Sequence, residues 1–344
     1  MEPINSQDRD GTSSLPPRKE PDEAAGIPDA TVHWPHRDFR WIFFGPQGLR
    51  AGWGIALFAG VFAVLYIVCN SLFIAWLGPR PTEQLPPGRG LLGEAMLFCL
   101  VLVATWVMSI VERKPLLSYG YQGRARAVRL VSGIVWGMVA ISALVLVLWR
   151  LGFLLLQRTP LTAGPALKDA VLWGLMFLLT GFVEESMFRG YAQFTLIRGV
   201  GFWWGALLFA LLFCITHGHN PGESPVGLFS VGAVSLIFCL SLWYTGSLWW
   251  AVGFHSAWDW GQSYFYGTAD SGMIAGGNLF RAHPIGSILW SGGATGPEGS
   301  LLVLPLLLVI AALMFSWWGH RARPPFAGTA WRPPSSLGLI GSEP

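Results

Sequence analysis

A chain of 344 residues that is 53% hydrophobic and only 12% charged is too apolar for a water-soluble globule, in which charged residues make up about a quarter. Its net charge of +3 includes no basic run long enough to suit nucleic acid, which excludes that class of partner. Nineteen tryptophans fit aromatic belts at the two faces of a membrane, so the lipid bilayer is the first partner implied.

Residues 1–40 are rich in Pro, Asp, Glu, Ser and Gly and read as a disordered tail without the apolar core of a cleavable signal peptide. Residues 39–50 mix aromatics with arginines, which suits an interfacial segment. Eight apolar runs follow, at residues 52–77, 91–111, 130–149, 170–197, 201–217, 226–243, 247–264 and 301–318. The expected fold is therefore all-α, a polytopic membrane protein of about eight transmembrane helices within residues 41–320, with a tail at 321–344. The fifth to seventh runs are short for a crossing and are expected to be tilted or partly embedded. Lys and Arg collect before the first run (Arg37, Arg40, Arg50), between the second and third (Arg113, Lys114, Arg124, Arg126, Arg129) and after the last (Arg321, Arg323). That bias favours both termini in the cytoplasm. Cys69, Cys99, Cys214 and Cys239 each lie in an apolar run and read as small core residues. Residues 265–300 form a long glycine-rich loop carrying Asp270, Asn278, Arg281 and His283; it reads equally as a cap over a site or as a spacer.

Charge inside the runs is sparse and therefore informative, because an ionisable group at membrane depth is costly unless it is paired or functional. Glu184, Glu185 and Arg189 sit in the fourth run, His217 ends the fifth, and His255 and Asp259 lie in the seventh. Glu94 falls near the start of the second and reads as interfacial. On a helix Glu185 and Arg189 share a face and can form an ion pair. Glu184 is turned about 100° away, leaving its carboxylate for another role. Glu184 lies 15 residues before Gly199 and His217 lies 18 after it. A helical hairpin turning at residues 198–201 would set them about 22 and about 27 Å from the bend, at nearly the same depth. This needs a long fourth helix that is tilted, kinked at Gly190 or ended in a surface segment. His255 and Asp259 are one turn apart, so the carboxylate can orient the imidazole.

A glutamate in a low-dielectric pocket has a raised proton affinity and suits general base and acid work on a water that attacks a peptide carbonyl. Nearby histidines can hold that water, donate to the oxyanion or bind a metal. Glu184, His217 and His255 are also plausible zinc ligands. The residues leave the zinc mechanism and the metal-free glutamate–water mechanism both open. His-Glu-x-x-His, Gly-x-Ser-x-Gly and Walker A motifs are absent.

Glu-Glu-x-x-x-Arg at residues 184–189, Phe-x-x-x-His at 213–217 and His-x-x-x-Asp at 255–259, in this order on successive runs, resemble the CPBP family of intramembrane proteases. That family comprises CAAX prenyl protease 2 (Rce1-like) and bacteriocin-processing, or Abi, enzymes, and the resemblance covers a core of about residues 113–264. It implies an eight-helix membrane fold and an endopeptidase in which Glu184 activates water with help from His217. Glu185 and Arg189 would support the site, while His255 and residue 259 would bind the oxyanion or position the water. Many members carry Asn where this chain has Asp259, an aspartate being the poorer donor unless protonated. The substrate implied is a peptide or a membrane-associated protein, without any requirement for a prenyl group. The setting implied is a bacterial cytoplasmic membrane. Two readings from other classes stand beside it: a catalytically silent scaffold or immunity/secretion accessory protein, and a proton-coupled transporter. Oligomeric state is not legible from the residues.

Overall fold

The computed structural model describes residues 39–45, 48–79, 85–319 and 326. The expected disordered tails, apart from residues 39, 40 and 326, lie outside the described residues. The helical body begins at Phe43.

The eight apolar runs become helices because a backbone in lipid must satisfy its polar groups locally. They are α1 (Ala51–Leu77), α2 (Pro87–Glu112), α3 (Arg126–Arg150), α4 (Ala163–Glu184) with α5 (Tyr191–Val200), α6 (Phe202–His217), α7 (Pro225–Thr245), α8 (Trp249–Trp260) and α9 (Val303–Met314). Helix starts follow local rules. Pro87 and Pro225 stand in the first turns of α2 and α7, where a missing N–H costs nothing. The Ser224 hydroxyl caps α7 by accepting from the Gly227 N–H at 3.0 Å.

Among the described residues five segments are long and apolar enough to cross a membrane: α1, α2, α3, the 38-residue α4–α5 unit and α7. The expectation of a short sixth run is thus corrected, since α7 has 21 residues. The fifth, seventh and eighth runs are the short ones. In α8 shortness goes with burial: Trp250, Phe254 and most of its other side chains are enclosed by protein rather than lipid. Its nearest neighbour is α3. A Cβ added at Gly133 or Gly137 of α3 would run into the carbonyl oxygens of Trp250 or Phe254, so small residues let the two backbones touch. The cysteines are free, but only Cys239 is buried and Cys99 is exposed on α2, so the expectation of core cysteines holds for one of the four.

The helices run between two ends. At the first end, Leu85 bridges Ala275, the Thr295 hydroxyl donates to the Gly222 carbonyl at 2.9 Å, and two strands pair antiparallel. These strands, β1 (Leu154–Arg158) and β2 (Phe280–Pro284), run in register from Leu154 opposite Pro284 to Arg158 opposite Phe280. They depart from the purely helical expectation. At the second end, the Gly120 carbonyl accepts from the Leu248 N–H at 2.9 Å, and Glu112 pairs with Arg198 at 2.9 Å. Glu112 also accepts from the Tyr191 hydroxyl at 2.8 Å.

Candidate active site

The site is built on a break in the fourth helical run. After Glu184 the backbone widens into a π-helical turn, Glu185–Arg189, and then bends at Gly190 (φ −80°, ψ −127°). Such turns insert a residue into a helix and re-aim its side chains. A Cβ at residue 190 would collide with the Ser186 carbonyl oxygen, so only glycine lets this turn close. Of the options open for a long fourth helix, the structure takes the kink at Gly190.

The turn splits the adjacent carboxylates. Glu185 points inward and is fully buried, and its Oε1 lies 3.1 Å from Arg189 Nη1, the ion pair expected from their spacing. The guanidinium is caged by aromatic rings, 4.3 Å from the centroid of Phe213 and 5.6 Å from that of Phe238, which adds a cation–π attraction. Glu184 turns the other way and lines a cavity of about 660 Å³ together with His217, His255 and Asp259. Its Oε2 is buried, has no hydrogen-bond partner among the described residues, and stands 3.6 Å from His255 Nε2.

Two hydrogen bonds define the histidines. His255 Nδ1 is 3.1 Å from Glu185 Oε1, so the Nδ1–H donates to that carboxylate and Nε2 faces the cavity. The group that orients His255 is thus Glu185, 70 residues away in the chain. Asp259, expected in that role, instead meets Nε2 at 3.4 Å. Nε2 therefore sits between Asp259 and Glu184, within reach of both carboxylates. His217 Nδ1 lies 2.8 Å from the Phe213 carbonyl, which can only accept, so the ring donates there and presents a bare Nε2 in its neutral form.

The long loop is a cap rather than a spacer: Asp270, Ser271 and Glu298 form part of the cavity wall. Asp270 accepts from the Ser263 hydroxyl at 2.9 Å, and Glu298 accepts from the Ser271 hydroxyl at 2.9 Å. Burial raises the proton affinity of both carboxyls, and for Glu298 the nearby Asp270 raises it further. Glu94, expected near an interface, also lines this cavity. Sequence reasoning missed Glu298 and Tyr121. The Tyr121 hydroxyl is 2.6 Å from the Ser186 hydroxyl on the π-turn, and its ring packs edge-on against Trp249. A lone tyrosine in a basic loop carries no signal that would have found it.

Among the described residues no group of three or more His, Cys, Asp and Glu side chains is arranged to hold a metal ion. Glu184, His217 and His255 share a cavity without forming the zinc set their residue types suggested.

Residues 166–261 match the family model of type II CAAX prenyl endopeptidase Rce1-like proteins. The chain carries an Rce1-like domain. This domain runs from α4 to the end of α8 and contains all six candidate residues, from Glu184 to Asp259. No curated protein and no solved structure matches the chain. The Rce1-like match and the long apolar helices make this an integral membrane protein.

Proposed function

We propose that the protein is an intramembrane endopeptidase that hydrolyses a peptide bond in a peptide or membrane-associated protein. The observation that carries this reading is the Glu184 carboxylate. Its Oε2 is a buried acceptor without a hydrogen-bond partner among the described residues, facing His255 Nε2 in a cavity that also holds His217.

Glu184 takes a proton from a water molecule, whose oxygen forms a bond to the peptide carbonyl carbon while the C=O pair moves onto oxygen. His217 Nε2 accepts the water's other hydrogen and so aims it. A proton carried on His255 Nε2, which Asp259 faces at 3.4 Å, is donated toward the oxyanion, so the donor is the imidazole and not the aspartate. The intermediate collapses by breaking the C–N bond, and Glu184 returns its proton to the leaving amine. Glu185 and Arg189 stay out of the chemistry: the first fixes the His255 ring, and the second balances the charge of the first. A metal, were one bound, would supply Lewis-acid polarisation of the carbonyl, but the ligand geometry gives no support for it. The excess of Lys and Arg at the second end, in residues 113–129, supports an orientation with both termini in the cytoplasm.

The test compares membrane and secreted peptides from cells producing wild type or Glu184→Gln. Peptides or new N-termini made by wild type alone, at equal abundance of the two proteins, support the reading. Identical peptide sets at equal abundance reject it.

A further inference from the structure

The cavity is built from one end of the molecule. The wall residues that come from connections between helices are Leu85, Asn220, Asp270, Ser271, Met273 and Glu298, and all belong to the first end, where the β1–β2 sheet and the cap loop interlock. Among the described residues, none of the connections at the second end contributes to the wall: not residues 113–125, not residues 190–201, not residues 246–248. The cavity therefore reaches from the buried glutamates toward the first end.

Charge distinguishes the same two ends. Connections and helix termini at the second end carry Arg50, Arg113, Lys114, Arg124, Arg126, Arg129 and Arg198, against one acid, Glu112. In the sequence, Arg321 and Arg323 follow the last helix. The first end carries Arg89, Arg150, Arg158, Lys168 and Arg281, offset by Asp169, Glu223, Asp270 and Glu298, and in the sequence Arg80 and Glu83 fall between α1 and α2. Short loops rich in Lys and Arg stay in the cytoplasm. The basic residues closest together, those at 113–129, are on the side away from the cavity.

We propose that the cavity opens on the non-cytoplasmic face of the membrane, and that its substrate is a polypeptide segment that has already crossed it. This rests on the endopeptidase reading given above and names its substrate class. A chain end that stays in the cytoplasm, including a lipid-modified cytoplasmic C-terminus, would meet the basic loops and the buried Glu112–Arg198 contact rather than the mouth of the site. A translocated segment would meet the cap loop and, below it, Glu184.

Two measurements on the full chain in intact cells test this. Ser287→Cys and His283→Cys place a thiol on exposed positions of the cap loop, and Ala127→Cys places one at the exposed start of α3. None of the three touches the catalytic machinery. A membrane-impermeant maleimide added outside should shift the two cap-loop variants by a single label relative to wild type. It should shift Ala127→Cys only after the membrane is opened. The reverse pattern overturns the proposal whatever the enzyme cleaves. In the peptide comparison of wild type with Glu184→Gln, new termini should fall in secreted or translocated segments; termini confined to cytoplasmic segments overturn it as well. Labelling as expected with no peptide difference overturns the endopeptidase reading, and the substrate class falls with it.

Discussion

Glu185→Gln should destabilise the protein far more than a surface change, and the structure says by how much. The carboxylate and the Arg189 guanidinium are both fully buried and 3.1 Å apart. Replacing the carboxylate by an isosteric amide leaves a carbonyl acceptor for the His255 Nδ1–H, so the change isolates the loss of charge. It strands the arginine in the core, where removing one partner of a buried pair costs about 3–5 kcal/mol. That is a large share of a total stability of roughly 5–15 kcal/mol. Arg189→Met should cost a similar amount by stranding Glu185, while its side chain still fills the space between Phe213 and Phe238. Removing both charges, in Glu185→Gln with Arg189→Met, should return most of the loss, because a buried pair replaced as a unit is close to neutral. Denaturant unfolding in mild detergent, followed by tryptophan fluorescence, gives the coupling energy of this cycle; at least about 2 kcal/mol is expected for groups in direct contact. Additivity within about 0.5 kcal/mol would show that the two side chains do not depend on each other and would refute the reasoning. Exchanging the two residues should not restore stability, since an arginine at 185 would face the His255 Nδ1–H.

Tyr121→Phe removes the hydroxyl that meets Ser186 on the π-turn. It should cost about 0.5–1.5 kcal/mol of stability, lower kcat more than it alters KM, and show no further loss when combined with Ser186→Ala; full activity in the single variant would dismiss it as a positioning residue. Burial raises the proton affinity of Asp270 and Glu298 in the fold, so the folded state holds more protons than the unfolded one. Stability contributed there is complete below the ordinary carboxylate range and is lost as pH rises through the raised values. Thermal stability should therefore fall as pH rises from ~4 to ~8, and Glu298→Gln should flatten that slope; an unchanged slope would mean that the cap carboxyls are not protonated on folding. Prolonged dialysis against a chelator should leave peptide cleavage unchanged, in line with the scattered ligand geometry; activity lost on chelation and restored by zinc would reverse that expectation.

The i,i+4 relation of Glu185 with Arg189, and of His255 with Asp259, was legible from spacing alone, and both contacts exist in the structure at 3.1 and 3.4 Å. So was the division of labour between Glu184 and Glu185, because neighbouring residues on a helix point about 100° apart. The Glu185–His255 contact was not legible. It depends on how α4 packs against α8, and nothing in either segment specifies that Glu185 rather than Asp259 takes the Nδ1–H. The strand at Leu154–Arg158 escaped notice for a related reason: it has no alternating pattern, and its partner lies more than a hundred residues away.

What the sequence by itself determined is the membrane class, the helices and the set of buried ionisable residues. These follow from local physics, since a backbone in lipid must pair with itself and a charge there must be paired or functional. What only the tertiary structure decided is the function of each charge. The π-turn closing on Gly190 sends one glutamate to the cavity and the other to His255 and Arg189. The cap loop adds Asp270 and Glu298, and Tyr121 reaches the π-turn from a connection at the opposite end. Each of these depends on where distant segments of chain meet, which no periodicity within one helix can encode.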